Sequence, residues 1–168
     1  MSPVLAAVLL VAMQRLAELA VARRNTRRLL AGGAIERGRG YYPLIVALHA
    51  AWLTTLPLVV PPDRWPGLPW LLLFLALQPV RVWAIASLGG RWTTRILVLP
   101  GAAPVRRGPY RWLRHPNYVV VALEILALPM AFGAPAHALL FTLLNAALLL
   151  LVRIPAEERA LATAGVGG

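Results

Sequence analysis

The chain has 168 residues; 60% are hydrophobic and 14% charged, where soluble domains run at roughly 45–50% and about 25%. Its net charge of +11 rests on 17 Arg with no Lys, and it has no Cys. These figures exclude an ordinary soluble globule, a disordered chain, a disulfide framework, a thiolate metal site and a cysteine nucleophile.

Residues 3–21 form the first apolar stretch, with no positive segment ahead of it, so it reads poorly as a cleaved signal peptide. A polar loop over 23–40 carries six Arg, and residues 42–60 form the second stretch. The turn PPDRWPG (61–67) leads to the third stretch, 68–88. Residues 89–116 are the longest non-apolar segment, again with six Arg. A short fourth stretch covers 117–130, an uncharged turn 131–135, and the fifth stretch 136–154; the tail PAEERALATAGVGG follows. A membrane helix needs about 20 apolar residues. The expected fold is therefore all-α: an integral membrane bundle of about five transmembrane helices in a single domain, 1–168. The short link between the last two makes them an antiparallel hairpin.

The Arg count sets the orientation. Loops one and three and the C-terminal end hold 14 Arg, against only Arg64 on the other side. Basic loops stay in the cytoplasm, so the N-terminus is expected outside and the C-terminus inside. The same rule accounts for the net charge, and no nucleic-acid partner is expected.

Five polar groups or pairs lie within the spans. Arg15 and Glu18 are three apart and can pair, as can Gln78 and Arg81. His49, Glu124 and Asn145 complete the set. Ionisable groups in lipid usually face the bundle interior or a polar cavity. An interhelical hydrogen bond is the simpler reading of His49. Glu124 has no opposite charge within one turn, so its partner must come from another helix. Its two expected roles are a contact to a polar ligand or its neighbouring Arg, and a tie from helix four to Arg81.

The densest polar run is GPYRWLRHPNY, 108–118. Pro116 suits the first helical position, and His115 before it is biased to extended geometry. His115 is thus expected at the N-cap of the fourth helix, beside free N–H groups that attract anions. Arg111 and Arg114 add positive charge. The second run is Arg153-Ile-Pro-Ala-Glu157-Glu158. There Pro155 breaks the fifth helix or opens a new one, and the two Glu fall in a first helical turn. The hairpin brings both runs to one end of the bundle. A pocket with a cationic and an anionic wall suits a zwitterion that also carries a cation or a ribose.

GPY-x3-RHP-x-Y followed by R-x3-EE resembles the isoprenylcysteine carboxyl methyltransferase family and its phospholipid-methyltransferase relatives, over about residues 100–159. The resemblance implies a membrane enzyme using S-adenosylmethionine. It maps His115, Tyr118, Glu157 and Glu158 onto cofactor-contacting positions and Arg153 onto the family's Arg. It places the cofactor in 100–168 and leaves 1–99 as the substrate side. The family often has Gly where this chain has Val120. The segments QRLAELAVARRN, GAIERG-x-x-Y and RWTTRILVLPGAAPVRRGPYRWLRHPNYVVVALE extend the likeness to a bacterial subgroup. That subgroup implies an O-methyltransferase of alkylpyrones or alkylresorcinols, linked to a type III polyketide synthase, in the bacterial inner membrane.

The expected reaction is direct displacement, with the acceptor's lipid tail entering between helices. An ionised hydroxypyrone needs no base, and Arg95 or Arg91 would steady its oxyanion. A resorcinol would need one, Glu124 or His115; the catalytic candidates are thus Glu124 and Arg95. Carboxyl methylation of a prenylcysteine, N-methylation of a phospholipid and a non-enzymatic membrane subunit are the alternatives. No glycine-rich nucleotide loop and no metal cluster is present in the sequence.

Overall fold

The computed structural model describes residues 2–103 and 105–163. Helix α1 (Pro3–Ala31) is followed by strand β1 (Ile35–Arg37), α2 (Tyr42–Val59) and α3 (Leu68–Leu88). Strand β2 (Ile96–Val98), α4 (Pro116–Ala131) and α5 (Pro135–Leu148) come next. A π turn, Leu149–Arg153, joins α5 to α6 (Ile154–Thr163).

The architecture is a helical membrane bundle. Four helical segments are long and apolar enough to cross a bilayer, beginning at Pro3, Arg39, Leu68 and Pro135. The expected fourth span, α4, has 16 residues. That is about 24 Å, short of a hydrocarbon core of about 30 Å. Packing runs α1–α2–α5–α4–α3, and polar side chains of α1 reach α3 and α4 to close the ring. Because successive helices alternate in direction, one end of the bundle gathers the Arg-rich loops. The other end holds the main core, with Val4, Val8, Trp52, Leu56, Phe74, Ile125, Leu128 and Phe141. Leu10, Leu58, Leu72, Leu143 and Leu151 point outward, as expected where the surroundings are acyl chains.

Two local features differ from the sequence-based expectation. Helix α1 runs ten residues past 21, because the Ala-, Leu- and Arg-rich segment continues the helix. It stops at Gly32 and Gly33, the latter at φ 87. Asn25 then pins it, donating to the carbonyls of Gly89 (3.1 Å) and Trp92 (2.9 Å). Second, loops one and three are not plain loops. Their strands pair antiparallel, Ile35 with Val98 and Arg37 with Ile96. As the sequence allows at Pro155, residues 154–163 form a new helix, α6, which packs Ala160 against Ile96 and Val98. The described residues on either side of position 100 therefore pack against each other, α4 on α3 and α6 on β2.

Reporter fusions after Gly67 and after Gly168 are expected to read opposite sides, outside and cytoplasm respectively. Two cytoplasmic readings would break both the five-segment count and the orientation.

Candidate active site

The candidate site is built at the Arg-rich end, where α4 begins and α5 gives way to α6. Gly108 sits at φ 57, and a Cβ there would lie 2.0 Å from the Ser87 hydroxyl oxygen. The turn can lie against α3 only because that position is glycine. Arg107 fastens it, its Nε donating to the Ser87 carbonyl at 2.6 Å. Gly108→Ala is thus expected to displace the turn and lower stability by about 1–3 kcal/mol, read by thermal melting in detergent; an unchanged melt would contradict the packing. A 3₁₀ turn over Gly108–Arg111 follows, and Trp112 rests on Trp83 with ring centroids 6.0 Å apart.

His115 occupies the N-cap of α4 at φ −130, with Pro116 at the first helical position, as the sequence implies. Its carbonyl accepts from the Tyr118 and Val119 N–H groups. Its ring stacks on Tyr118 at 5.1 Å and 13°. The Tyr118 hydroxyl donates a short hydrogen bond to Glu157 and accepts one from Arg153 Nε at 2.9 Å. The expected joining of the two ends is therefore present, through a His115–Tyr118–Arg153–Glu157 chain. Pro155 explains how Arg153 arrives there. It lacks the N–H an α-helix would return to residue 151. The chain loosens into the π turn, and Arg153 points inward, buried. Glu157 then falls in the first turn of α6, while Glu158, one position on, is exposed. Val120 is buried within α4.

Two further tyrosines join this end. Burial, reinforced by the nearby Glu157 charge, pushes the Tyr110 phenol up to about 12, so it stays neutral and a donor at physiological pH. Tyr41 comes from the turn before α2 and lies beside Arg153 and Glu157. Neither was singled out from the sequence, although GPY and GAIERG-x-x-Y contain them. His115 Nε2, Asn117 Oδ1 and the Tyr41 hydroxyl are buried without a hydrogen-bond partner. Each such orphan costs about 1–3 kcal/mol. A polar ligand reaching His115 and Asn117 would relieve that cost at the start of α4, so the residues present there fit a zwitterionic cofactor such as S-adenosylmethionine.

Glu124 and Arg95, the expected catalytic pair, stand elsewhere. Glu124 is 1% exposed. Its Oε2 accepts from Arg15 (2.8 Å) and Arg81 (3.0 Å), and its Oε1 from Gln78 (3.0 Å). Arg81 also grips Glu18 with two bonds, 2.7 and 2.6 Å, and Arg15 holds Glu18 at 2.8 Å. The carboxylate ties α4 to α1 and α3, the second of its two expected roles. Both of its carboxylate oxygens accept from neighbouring side chains. Arg95 pairs with Glu36 on β1 at 3.0 Å and lies over the Tyr42 ring; its guanidinium serves the sheet, not Glu124. His49 bonds within its own helix, Nδ1 to the Ile45 carbonyl at 2.9 Å; the expected interhelical bond is absent among the described residues. Asn145 is buried and its Nδ2 lacks a partner. Among the described residues no group of His, Asp or Glu is placed to hold a metal.

The fold is that of a multi-pass membrane protein with a cluster of buried polar side chains at its Arg-rich end. The Isoprenylcysteine carboxyl methyltransferase (ICMT) family profile matches residues 70–163, more than half the chain. The chain is also 45% identical over 152 residues to "Uncharacterized protein YpbQ" of Bacillus subtilis (strain 168), covering 88% of this chain and 90% of that one. No solved structure matches. The chain belongs to the isoprenylcysteine carboxyl methyltransferase family, and so to the membrane methyltransferases.

Proposed function

We propose that the protein is an S-adenosylmethionine-dependent O-methyltransferase acting on the hydroxyl of an amphiphilic lipid, such as an alkylpyrone or alkylresorcinol. The observation that carries the cofactor assignment is the Arg153–Tyr118–Glu157 triad beside the His115 helix start, where His115 Nε2 and Asn117 Oδ1 are buried without partners. The choice of a hydroxylated lipid rests on likeness in the sequence, supported by a membrane-embedded fold.

His115, Tyr118, Arg153 and Glu157 would hold the cofactor. Glu157 and Tyr118 would offer acceptors to ammonium and ribose hydroxyls, and His115 with the positive end of α4 would favour its carboxylate. When bound, the cofactor supplies an electrophilic methyl group on a sulfonium. The chain's own contribution is positioning and exclusion of water in a preorganised site. A hydroxypyrone arrives ionised, so no residue need take its proton. Glu124 and Arg95 are assigned to holding the bundle and the sheet. Glu158, on the exposed side of α6, is assigned to the rim.

The test is incubation of the purified protein with methyl-labelled S-adenosylmethionine and a panel of acceptors. Label is expected in an alkyl hydroxypyrone or resorcinol. Label in a prenylcysteine carboxylate or a phospholipid amine would move the acceptor assignment, and none in any acceptor would leave a membrane subunit without activity.

A further inference from the structure

The residues that cradle the proposed cofactor lie within 70–163, the part matched by the family profile. Tyr41 lies outside that part, yet the fold delivers it to the same place. Its ring packs against Ile96, Val98 and Ala160, where the sheet meets α6. Gly38 makes that pose available. It sits at φ 63, and a Cβ there would lie 2.2 Å from the Tyr41 hydroxyl oxygen. The backbone of the G-x-x-Y turn is therefore in flat contact with the phenol, and only glycine permits it. The hydroxyl ends up beside Arg153 and Glu157, buried and without a hydrogen-bond partner. A clamped ring with an unused buried donor is a costly arrangement for packing alone.

A second observation meets the first. An apolar groove of about 280 Å³ runs along the seam of α2 and α5, lined by Leu44, Leu48, Leu144, Leu148, Leu151 and Val152. From Leu144 to Val152 it is about 12 Å long. Val152 precedes Arg153, and Leu44 is one turn beyond Tyr41. The end of the groove lined by Leu44 and Val152 thus lies toward the turn that carries Tyr41 and toward Arg153, an apolar wall with polar residues next to it in the chain. An alkyl chain bearing a hydroxylated ring has the matching shape and polarity.

We propose that Tyr41 positions the methyl acceptor: its hydroxyl donates to the oxygen to be methylated, while the acceptor's alkyl tail lies in the α2–α5 groove. This rests on the methyltransferase reading above. The acceptor's proton leaves to water before binding. One lone pair of the resulting oxyanion takes the Tyr41 hydrogen bond. Another forms the O–CH3 bond as the C–S bond breaks, its electron pair staying on sulfur as a neutral thioether.

The full chain in lipid nanodiscs is titrated with a pentadecyl hydroxypyrone and with methyl hydroxypyrone, binding being followed by equilibrium dialysis. S-adenosylmethionine binding and methyl transfer are measured alongside. Tyr41→Phe is expected to weaken both pyrones about tenfold and leave S-adenosylmethionine affinity unchanged. Leu48→Trp, which fills the groove, is expected to weaken the long-tailed pyrone and spare the short one. Pyrone binding by Tyr41→Phe equal to wild type overturns the proposal, as does a loss confined to S-adenosylmethionine, or wild-type protein that retains neither pyrone. Wild-type protein that binds the pyrones as expected but transfers no methyl keeps Tyr41 as a binding residue and sinks the enzymatic reading instead.

Discussion

Arg81→Ala is expected to destabilise the protein by about 3–5 kcal/mol, the cost of breaking a buried ion pair by removing one partner. Arg81 is 5% exposed and bonds both Glu18 and Glu124. Without it, two carboxylates face each other with Arg15 alone between them. Water cannot compensate at that depth, and an unpaired charge in the bundle is expensive. Denaturant or thermal unfolding in detergent reads the loss. Glu124→Gln keeps the shape and removes one charge, so its cost is expected to be smaller. The same variant separates packing from catalysis. A tenfold fall in methyl transfer to a weakly acidic phenol, with stability and cofactor affinity intact, would restore Glu124 as a base. A wild-type melt in Arg81→Ala would overturn the network's structural role.

Glu157→Ala and His115→Ala are each expected to weaken S-adenosylmethionine binding by about 1–3 kcal/mol, seen by calorimetry in detergent. Glu157 should show the larger effect. Its loss strips the Tyr118 hydroxyl of its acceptor and leaves Arg153 without the nearby carboxylate. Glu158→Ala, on the exposed side of α6, is expected to bind as wild type. Unchanged affinity in both His115→Ala and Glu157→Ala, with the fold intact, would reduce these residues to helix capping.

The bundle and most of its polar end are legible in the sequence because they obey strong local rules. Apolar runs of about twenty residues read as spans, and Pro116 suits the first helical position, which puts His115 at a helix start. The Arg15–Glu18 pair follows from spacing alone. Its extension to Arg81 and Glu124 does not, because it depends on which helix faces which. The strands escape because three residues are too few to show a period, and their pairing joins positions about sixty apart. Tyr41 escapes for the same reason. Nothing near it in sequence is apolar-periodic or charged in a telling way, and its value comes from α6 folding back over the sheet. Arg95 illustrates the converse. A lone Arg in a polar loop is read as available, and only the structure reveals Glu36 opposite it.

The four-charge cluster also bears on how the chain is assembled during synthesis. Helices enter the bilayer in order from the N-terminus. Helix α1 arrives with Arg15 and Glu18 already matched three residues apart, so its apolar part, residues 3–21, carries no net charge. Helix α3 then brings Arg81 alone, one positive charge in surplus. Only Glu124, on the next helix to emerge, cancels it. The half-made protein, stopped after α3, is therefore electrostatically incomplete. Docking of α4, with His115 at its start and Tyr118 in its first turn, is the event that both neutralises the bundle and brings in the proposed cofactor residues.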